Sequence, residues 1–309
     1  PTRKTHRERQ LHMTENFTPL LTTTDWNKEW MQLQKARRHN DDASYWNERA
    51  KTFTSKDYPN PYVTAFLERA GIAPEESVFD MGCGTGALAL PLGEAGHAVT
   101  AADFSEGMLS ILRDALETRG ITSVHCEQMR WEDDWQEHGI APKSHDVCTA
   151  SRSIAVDDMR AALLKLTQVA RRRVCITLPT GASPRTDDNV IEALGLASRV
   201  GRDHLYAVNI LSGLGFEPEL SYIKSTRVDT FDSFDEALRK YDDMVRKACI
   251  YLPEMRTQVA LAKLEPWLRT QIVENENAGT PGEKGAAQGA LRLLKPRTIT
   301  WAFIAWNVD

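Results

Sequence analysis

The chain has 309 residues, a formal charge of −5 and 41% hydrophobic residues, enough for one large domain or two modest ones. The mild acidity argues against a nucleic-acid binder that works by bulk charge, although a local basic groove stays open. No apolar run approaches the roughly 20 residues of a membrane helix, and the N-terminus has no apolar signal segment, so a cytoplasmic protein is expected.

Residues 1–13, "PTRKTHRERQLHM", are polar and basic and lack periodicity, so they cannot bury enough apolar surface to offset ordering. They read as a disordered leader, either native or appended ahead of a natural start at Met13. Asp25–Arg38 has helical spacing, with Trp26, Trp30, Met31 and Leu33 apolar and Asp25 as N-cap. Asp41–Phe53 reads as a second helix. Pro61–Gly71 reads as a third, with proline in its first turn and glycine at its end.

Strands and helices then alternate. Strands are expected at Ser77–Met81, Ala98–Ala102, Ser123–Cys126, Asp146–Ala150 and Arg173–Leu178. Helices fit between them at Ala87–Ala95, Glu106–Arg119 and Asp157–Ala170. This order implies a parallel sheet with helices on both faces. After Pro179, helices are expected near Asn189–Val200 and His204–Leu214, and strands at Glu219–Val228 and Thr298–Asn307. The roughly seventy residues between those last strands far exceed a usual connection and contain two helical stretches, so they read as a helical cap. Accordingly, 14–73 is expected to form an N-terminal helical lid and 74–228 a core. Residues 229–297 would be the insertion and 298–309 the final strand. The five cysteines are scattered without a CxxC pair and read as buried free thiols, and no metal site is expected.

The stretch "SVFDMGCGTGALAL" (Ser77–Leu90) carries the chemistry. It is not a phosphate loop, since it lacks GxxxxGK[ST]. Gly82, Gly84 and Ala87 do fit the dinucleotide fingerprint, with Asp103 about 20 residues on. Asp80 separates the alternatives. A fixed carboxylate beside a pyrophosphate seated on this turn would repel it, whereas a cationic guest without phosphate would be favoured. S-adenosylmethionine, with an ammonium and a sulfonium, is such a guest.

"VFDMGCGTG" (Val78–Gly86) followed by "VTAADFSEGML" (Val99–Leu109) resembles the first two motifs of the class I S-adenosylmethionine-dependent methyltransferases, and most closely the group that acts on small molecules. The resemblance spans about 75–178. It implies a Rossmann-like, doubly wound, mostly parallel seven-stranded sheet whose last strand is antiparallel. It also implies that Asp80, Gly82, Cys83, Gly84 and Gly86 seat the methionine end of the cofactor, the first two motif glycines because a Cβ there would collide with it. By the same resemblance Asp103 accepts the ribose hydroxyls, and Phe104 and Met108 pack on the adenine. Many relatives place an aspartate after the third strand. Here Met129, Arg130 and Trp131 occupy that place, so the adenine edge would be read by backbone groups or by Glu132 or Asp133. Ser151 and Arg152 follow the fourth strand. Arg152 could bind the cofactor carboxylate or an anionic substrate. Tyr45 and Trp46 resemble an aromatic pair that closes over the cofactor, and Tyr241, Tyr251 and Trp267 are candidate lid residues.

The acceptor is narrowed by what is missing. There is no [DN]-P-P-[YF] after the fourth strand and no Pro-Cys dipeptide, and Asp157 and Asp158 read as a helix N-terminus rather than metal ligands. A small-molecule acceptor is expected, without nucleic acid or membrane partners. An RNA or protein methyltransferase and a non-catalytic cofactor binder remain the alternatives, and an NAD-linked enzyme is disfavoured by Asp80.

Overall fold

The structure is a computed structural model. It describes residues 19–37, 43–50, 60–181, 186–196, 202–249, 252–282 and 287–308. Among the described residues, four helices precede the sheet: α1 (Leu20–Thr23), α2 (Trp26–Arg37), α3 (Ala43–Ala50) and α4 (Pro61–Ala70). Local caps set the ends of α2 and α4, with Asp25 and Gly71 as expected and Asn60 in addition. The Asp25 carboxylate accepts from the Lys28 N–H at 3.1 Å. The Asn60 side chain accepts from Tyr62 N–H, and Gly71 closes α4 in the left-handed conformation, which a glycine adopts without penalty. The expected second helix is seen from Ala43 to Ala50; its last three residues lie outside the described set.

The alternating core follows as β1 (Val78–Met81), α5 (Ala89–Glu94), β2 (Val99–Asp103), α6 (Glu106–Arg119), β3 (Val124–Gln128), β4 (His145–Ser151), α7 (Met159–Val169) and β5 (Ala170–Pro179). Next come α8 (Asp188–Ala193), α9 (Asp203–Gly213) and β6 (Glu219–Arg227), and the chain ends with β10 (Arg297–Asn307). These seven strands form one sheet in the order β3-β2-β1-β4-β5-β10-β6. The pairs β1–β2, β1–β4, β2–β3 and β4–β5 are parallel, and β10 is antiparallel to both neighbours. The fold is therefore the Rossmann-like sheet with an antiparallel last strand. The strand order reverses between β1 and β4, and the crevice outside the carboxyl ends there is where open α/β sheets take ligands.

Both faces are covered, as the Val-, Ala- and Cys-rich strands require. On one face Phe79, Met81, Cys148, Ile176 and Trp306 pack under α7, α9 and the Trp30 side of α2. On the other, Val78, Val99, Val147, Cys175 and Phe303 pack under α4, α5 and α6. The N-terminal helices are tied to the core by specific bonds. Trp30 Nε1 donates to the Val156 carbonyl at 2.9 Å, and Arg37 forms a two-point ion pair with Asp203 at 2.9 and 2.6 Å. Cys83, Cys148, Cys175 and Cys249 are buried free thiols, and Cys126 is half-buried.

Between β6 and β10 lie β7 (Thr230–Phe231), α10 (Phe234–Ala248), α11 (Glu254–Gln271), β8 (Ile272–Glu274) and β9 (Leu291–Leu293). The insertion is thus not helical alone: β7, β9 and β8 form a small antiparallel sheet. It has its own core, including Phe231, Tyr241, Val245, Leu264, Leu268 and Leu293, and this core takes in Val190, Ile191 and Leu194 of α8. Thus α8, expected within the cofactor-binding core, packs with the cap instead. Arg227 of β6 pairs with Arg297 of β10 where the chain leaves and re-enters the main sheet. Since β6 runs parallel to β5, that crossing lies at the carboxyl end of the parallel strands, which puts the cap on the ligand side.

Gly289 locks the small sheet. A Cβ there would lie 2.3 Å from the Phe231 carbonyl carbon and oxygen, which are backbone atoms that cannot swing aside. Gly289→Ala is expected to cost about 1–3 kcal/mol, the scale of overpacking, measurable by chemical denaturation of the purified variant.

Candidate functional site

The glycine turn begins where β1 ends. The N–H groups of Gly82 and Cys83 both donate to the Ala102 carbonyl, at 2.7 and 3.0 Å, which fastens the turn to β2. Gly82, Gly84 and Gly86 have φ of 74°, 55° and 88°, all in the region glycine alone enters freely. Their reasons for being glycine differ. A Cβ on Gly82 would sit 2.2 Å from Ser153 Cβ, and one on Gly86 would sit 2.4 Å from Leu112 Cδ1. A Cβ on Gly84 would meet no protein atom within 4 Å. The expectation that a side chain at Gly82 would strike the cofactor is therefore corrected, because the β4 loop already fills that space. Only Gly84 faces open space.

Asp80 lies beneath this turn, 1% exposed. Its Oδ1 accepts from Thr149 Oγ1 at 2.7 Å, and its Oδ2 has no hydrogen-bond partner among the described residues. Burial pushes its pKa up to about 7; the Thr149 bond opposes this, and the nearby Asp103 charge adds to it. A buried carboxylate with one oxygen unmatched is costly and is relieved by a cation or donor that reaches it.

Asp103, at the end of β2, is also buried. Its Oδ2 accepts from Gly84 N–H at 2.8 Å and its Oδ1 from Ser105 N–H at 2.9 Å. It thus braces the glycine turn against the start of α6. Burial raises its pKa, opposed by these N–H groups. Each ionised oxygen keeps a further lone pair for an incoming hydroxyl. Ser105 caps α6, its side chain accepting from Met108 N–H. Met108 is buried and Phe104 half-buried.

The lid helix docks at that same helix start. Asn47 Oδ1 accepts from Ser105 Oγ at 2.8 Å and from Gly107 N–H at 3.0 Å. Asn47 was not foreseen; it adjoins the expected pair Tyr45 and Trp46, whose rings meet edge to face at 5.4 Å. Tyr45 is exposed and Trp46 half-buried.

After β3, Met129 is buried and its N–H donates to the Asp103 carbonyl at 3.0 Å, which brings this wall to the site. Arg130 is exposed, and its N–H is held by the Asp133 carboxylate at 2.8 Å, so Asp133 serves its own loop. Trp131 turns inward: Nε1 donates to the Ser153 carbonyl at 3.2 Å and its ring lies 5.6 Å from that of Trp135. Asp158 caps α7 by accepting from Ala161 N–H, the role expected of a helix start.

At the end of β4 a hydroxyl cluster appears that the sequence reading missed. Tyr62 OH lies 2.8 Å from Ser151 Oγ and 2.7 Å from Thr177 Oγ1, and Thr177 Oγ1 accepts from Arg152 N–H at 3.1 Å. Arg152 has φ 59°, unusual for a residue other than glycine, and its guanidinium lies 4.2 Å from the Tyr62 ring centroid and 5.9 Å from that of Trp301. The signal that could have found Tyr62 is weak, since a tyrosine on the apolar face of α4 reads as core.

The expected lid residues that are described, Tyr241 and Trp267, both pack within the cap. Tyr241 is 1% exposed inside the cap core, its OH donating to Asp229 Oδ2 at 3.3 Å and its ring 5.9 Å from Phe231. Its place as a substrate residue is therefore corrected: it packs the cap. Trp267 packs against the same core. Tyr251 lies outside the described residues.

Residues 78–173, which contain the glycine turn, Asp80, Asp103, Ser151 and Arg152 but neither Tyr62 nor Thr177, match a family model described as a methyltransferase domain. An uncharacterised protein of Haemophilus influenzae is 28% identical over 251 residues, covering 81% of this chain and 83% of that one. A Geobacillus sp. (strain WCH70) protein with a provisional methyltransferase name is 33% identical over 85 residues, 28% of this chain and 34% of that one. Among solved structures, a Bacillus halodurans C-125 protein, also provisionally named a methyltransferase, superposes with a TM-score of 0.48 at 13% identity, over 80% of this chain and 98% of that one.

Proposed function

We propose that this chain, which carries a methyltransferase domain over residues 78–173, is an S-adenosylmethionine-dependent methyltransferase with a small-molecule acceptor. The observation that carries the cofactor assignment is Asp80, a buried carboxylate whose Oδ2 lacks a partner among the described residues, set two residues before the first glycine of the turn. An ammonium satisfies that oxygen; a pyrophosphate would aggravate it. The open face at Gly84 accommodates the methionine end, and Asp103 retains lone pairs for two ribose hydroxyls. Phe104, Met108 and the Met129 backbone supply the adenine walls.

The cofactor would supply a methyl group already activated by its sulfonium charge. The protein's part is then alignment and exclusion of water, so no catalytic triad is required. The cap at the carboxyl end and the lid helix α3 are suited to enclosing a small acceptor, which supports that class over RNA or protein. Asp103→Ala is expected to weaken binding of S-adenosylhomocysteine by about 1–3 kcal/mol, the scale of lost hydrogen bonds to a charged group. Isothermal calorimetry of wild type and variant tests this, and unchanged affinity would remove Asp103 from the site.

A further inference from the structure

We infer that the acceptor carries an anionic oxygen group, a carboxylate or phosphate, held by Arg152 and Ser151 over the ends of β4, β5 and β10. The inference rests on the methyltransferase reading above. Arg152 is exposed, yet it has no carboxylate partner among the described residues. Its guanidinium is set by the Tyr62 and Trp301 rings, while its N–H is anchored to Thr177. Stacking on aromatic faces fixes the plane of a guanidinium and leaves its edge N–H groups free for two-point recognition of an oxyanion. A non-glycine residue in the left-handed region costs on the order of 1 kcal/mol and is kept where surrounding contacts enforce it. Here Thr177 does so, and the result presents the Arg152 side chain on the ligand side.

Ser151 supplies the second donor. Thr177 Oγ1, Tyr62 OH and Ser151 Oγ form a chain of hydroxyls, and Tyr62 is the one partner of Ser151 Oγ among the described residues. With the Arg152 N–H donating to Thr177, the chain can run Thr177 to Tyr62 to Ser151, leaving the Ser151 proton to point at a bound oxygen. Position favours the acceptor over the cofactor carboxylate. Trp301 stands on the third strand out from β1, since the order is β1-β4-β5-β10. At about 4.8 Å per strand it lies roughly 14 Å from the glycine turn's strand. A guanidinium drawn toward Trp301 is displaced along the sheet, away from β1 and its glycine turn.

The test uses the intact chain, labelled S-adenosylmethionine and a metabolite extract fractionated by anion exchange, with S-adenosylhomocysteine calorimetry alongside. Wild type is expected to label compounds retained on the exchanger. Arg152→Met is expected to lose at least tenfold in labelling rate at subsaturating acceptor while binding S-adenosylhomocysteine within twofold of wild type. Label confined to unretained compounds, undiminished labelling by Arg152→Met, or wild type that binds S-adenosylhomocysteine yet labels nothing anionic would each overturn the inference. A parallel loss of S-adenosylhomocysteine affinity would overturn it too, by placing Arg152 on the cofactor. Wild type that does not bind S-adenosylhomocysteine contradicts the methyltransferase reading instead.

Discussion

Asp80→Asn is expected to make the free protein more stable at pH 8 and to abolish measurable binding of S-adenosylhomocysteine. The free carboxyl titrates near 7 because it is buried, well above the unfolded value near 3.8. A group whose folded pKa is raised binds more protons in the folded state, so stability falls as pH rises through that window, from about 4 to 7. At pH 8 the wild type carries this burden in full. Asparagine keeps an oxygen for Thr149 and removes the charge, so a gain of about 1–3 kcal/mol is expected in urea unfolding. On the proposed reading the same substitution also removes the partner of the ligand's ammonium. In the wild type that ammonium would draw the Asp80 pKa down, so that binding below pH 7 would release a proton. Affinity for S-adenosylhomocysteine should then fall about tenfold between pH 7.5 and 6. A pH-independent affinity would mean that Asp80 does not meet the ligand.

The second large effect separates two neighbouring glycines. Gly82→Ala places a methyl 2.2 Å from Ser153 Cβ at φ 74°. It is expected to destabilise the fold by about 2–4 kcal/mol, combining left-handed strain with overpacking. Gly84→Ala meets no protein atom within 4 Å at φ 55°, so its stability cost should be the strain alone, about 1–2 kcal/mol. Its methyl enters the space assigned to the methionine end, and affinity for S-adenosylhomocysteine is expected to fall roughly hundredfold, about 2.7 kcal/mol. Thermal melts and calorimetry on both variants check the crossing pattern. Equal losses of affinity relative to stability would show that Gly84 faces no ligand.

The parts legible in the sequence were those set by local chemistry. Ser105 and Gly120 bound α6 at Glu106–Arg119, as read from the pattern, because a serine cap and a left-handed glycine act within one turn. The glycine turn and Asp103 were legible because backbone conformation and charge restrict those positions to few residue types. The small cap sheet was not, since strands of two or three residues such as Thr230–Phe231 and Leu291–Leu293 are too short for alternation and pair across some sixty positions. Tyr241 was misread for a related reason. Its partners Asp229 and Phe231 lie just before and within β7 of the small sheet, so only the tertiary fold shows that the ring is sealed. The Tyr62–Ser151–Thr177 cluster joins residues up to 115 positions apart, and no local pattern marks it.

What the glycine turn seats decides the function of the chain. Calorimetric titration of the purified chain at pH 7.5 with S-adenosylhomocysteine, and in parallel with NADH, tests it most directly. The expected result is one saturable site for S-adenosylhomocysteine and no heat of binding for NADH. Saturable binding of NADH with none of S-adenosylhomocysteine would contradict the assignment, because a pyrophosphate would then sit beside the buried carboxylate of Asp80.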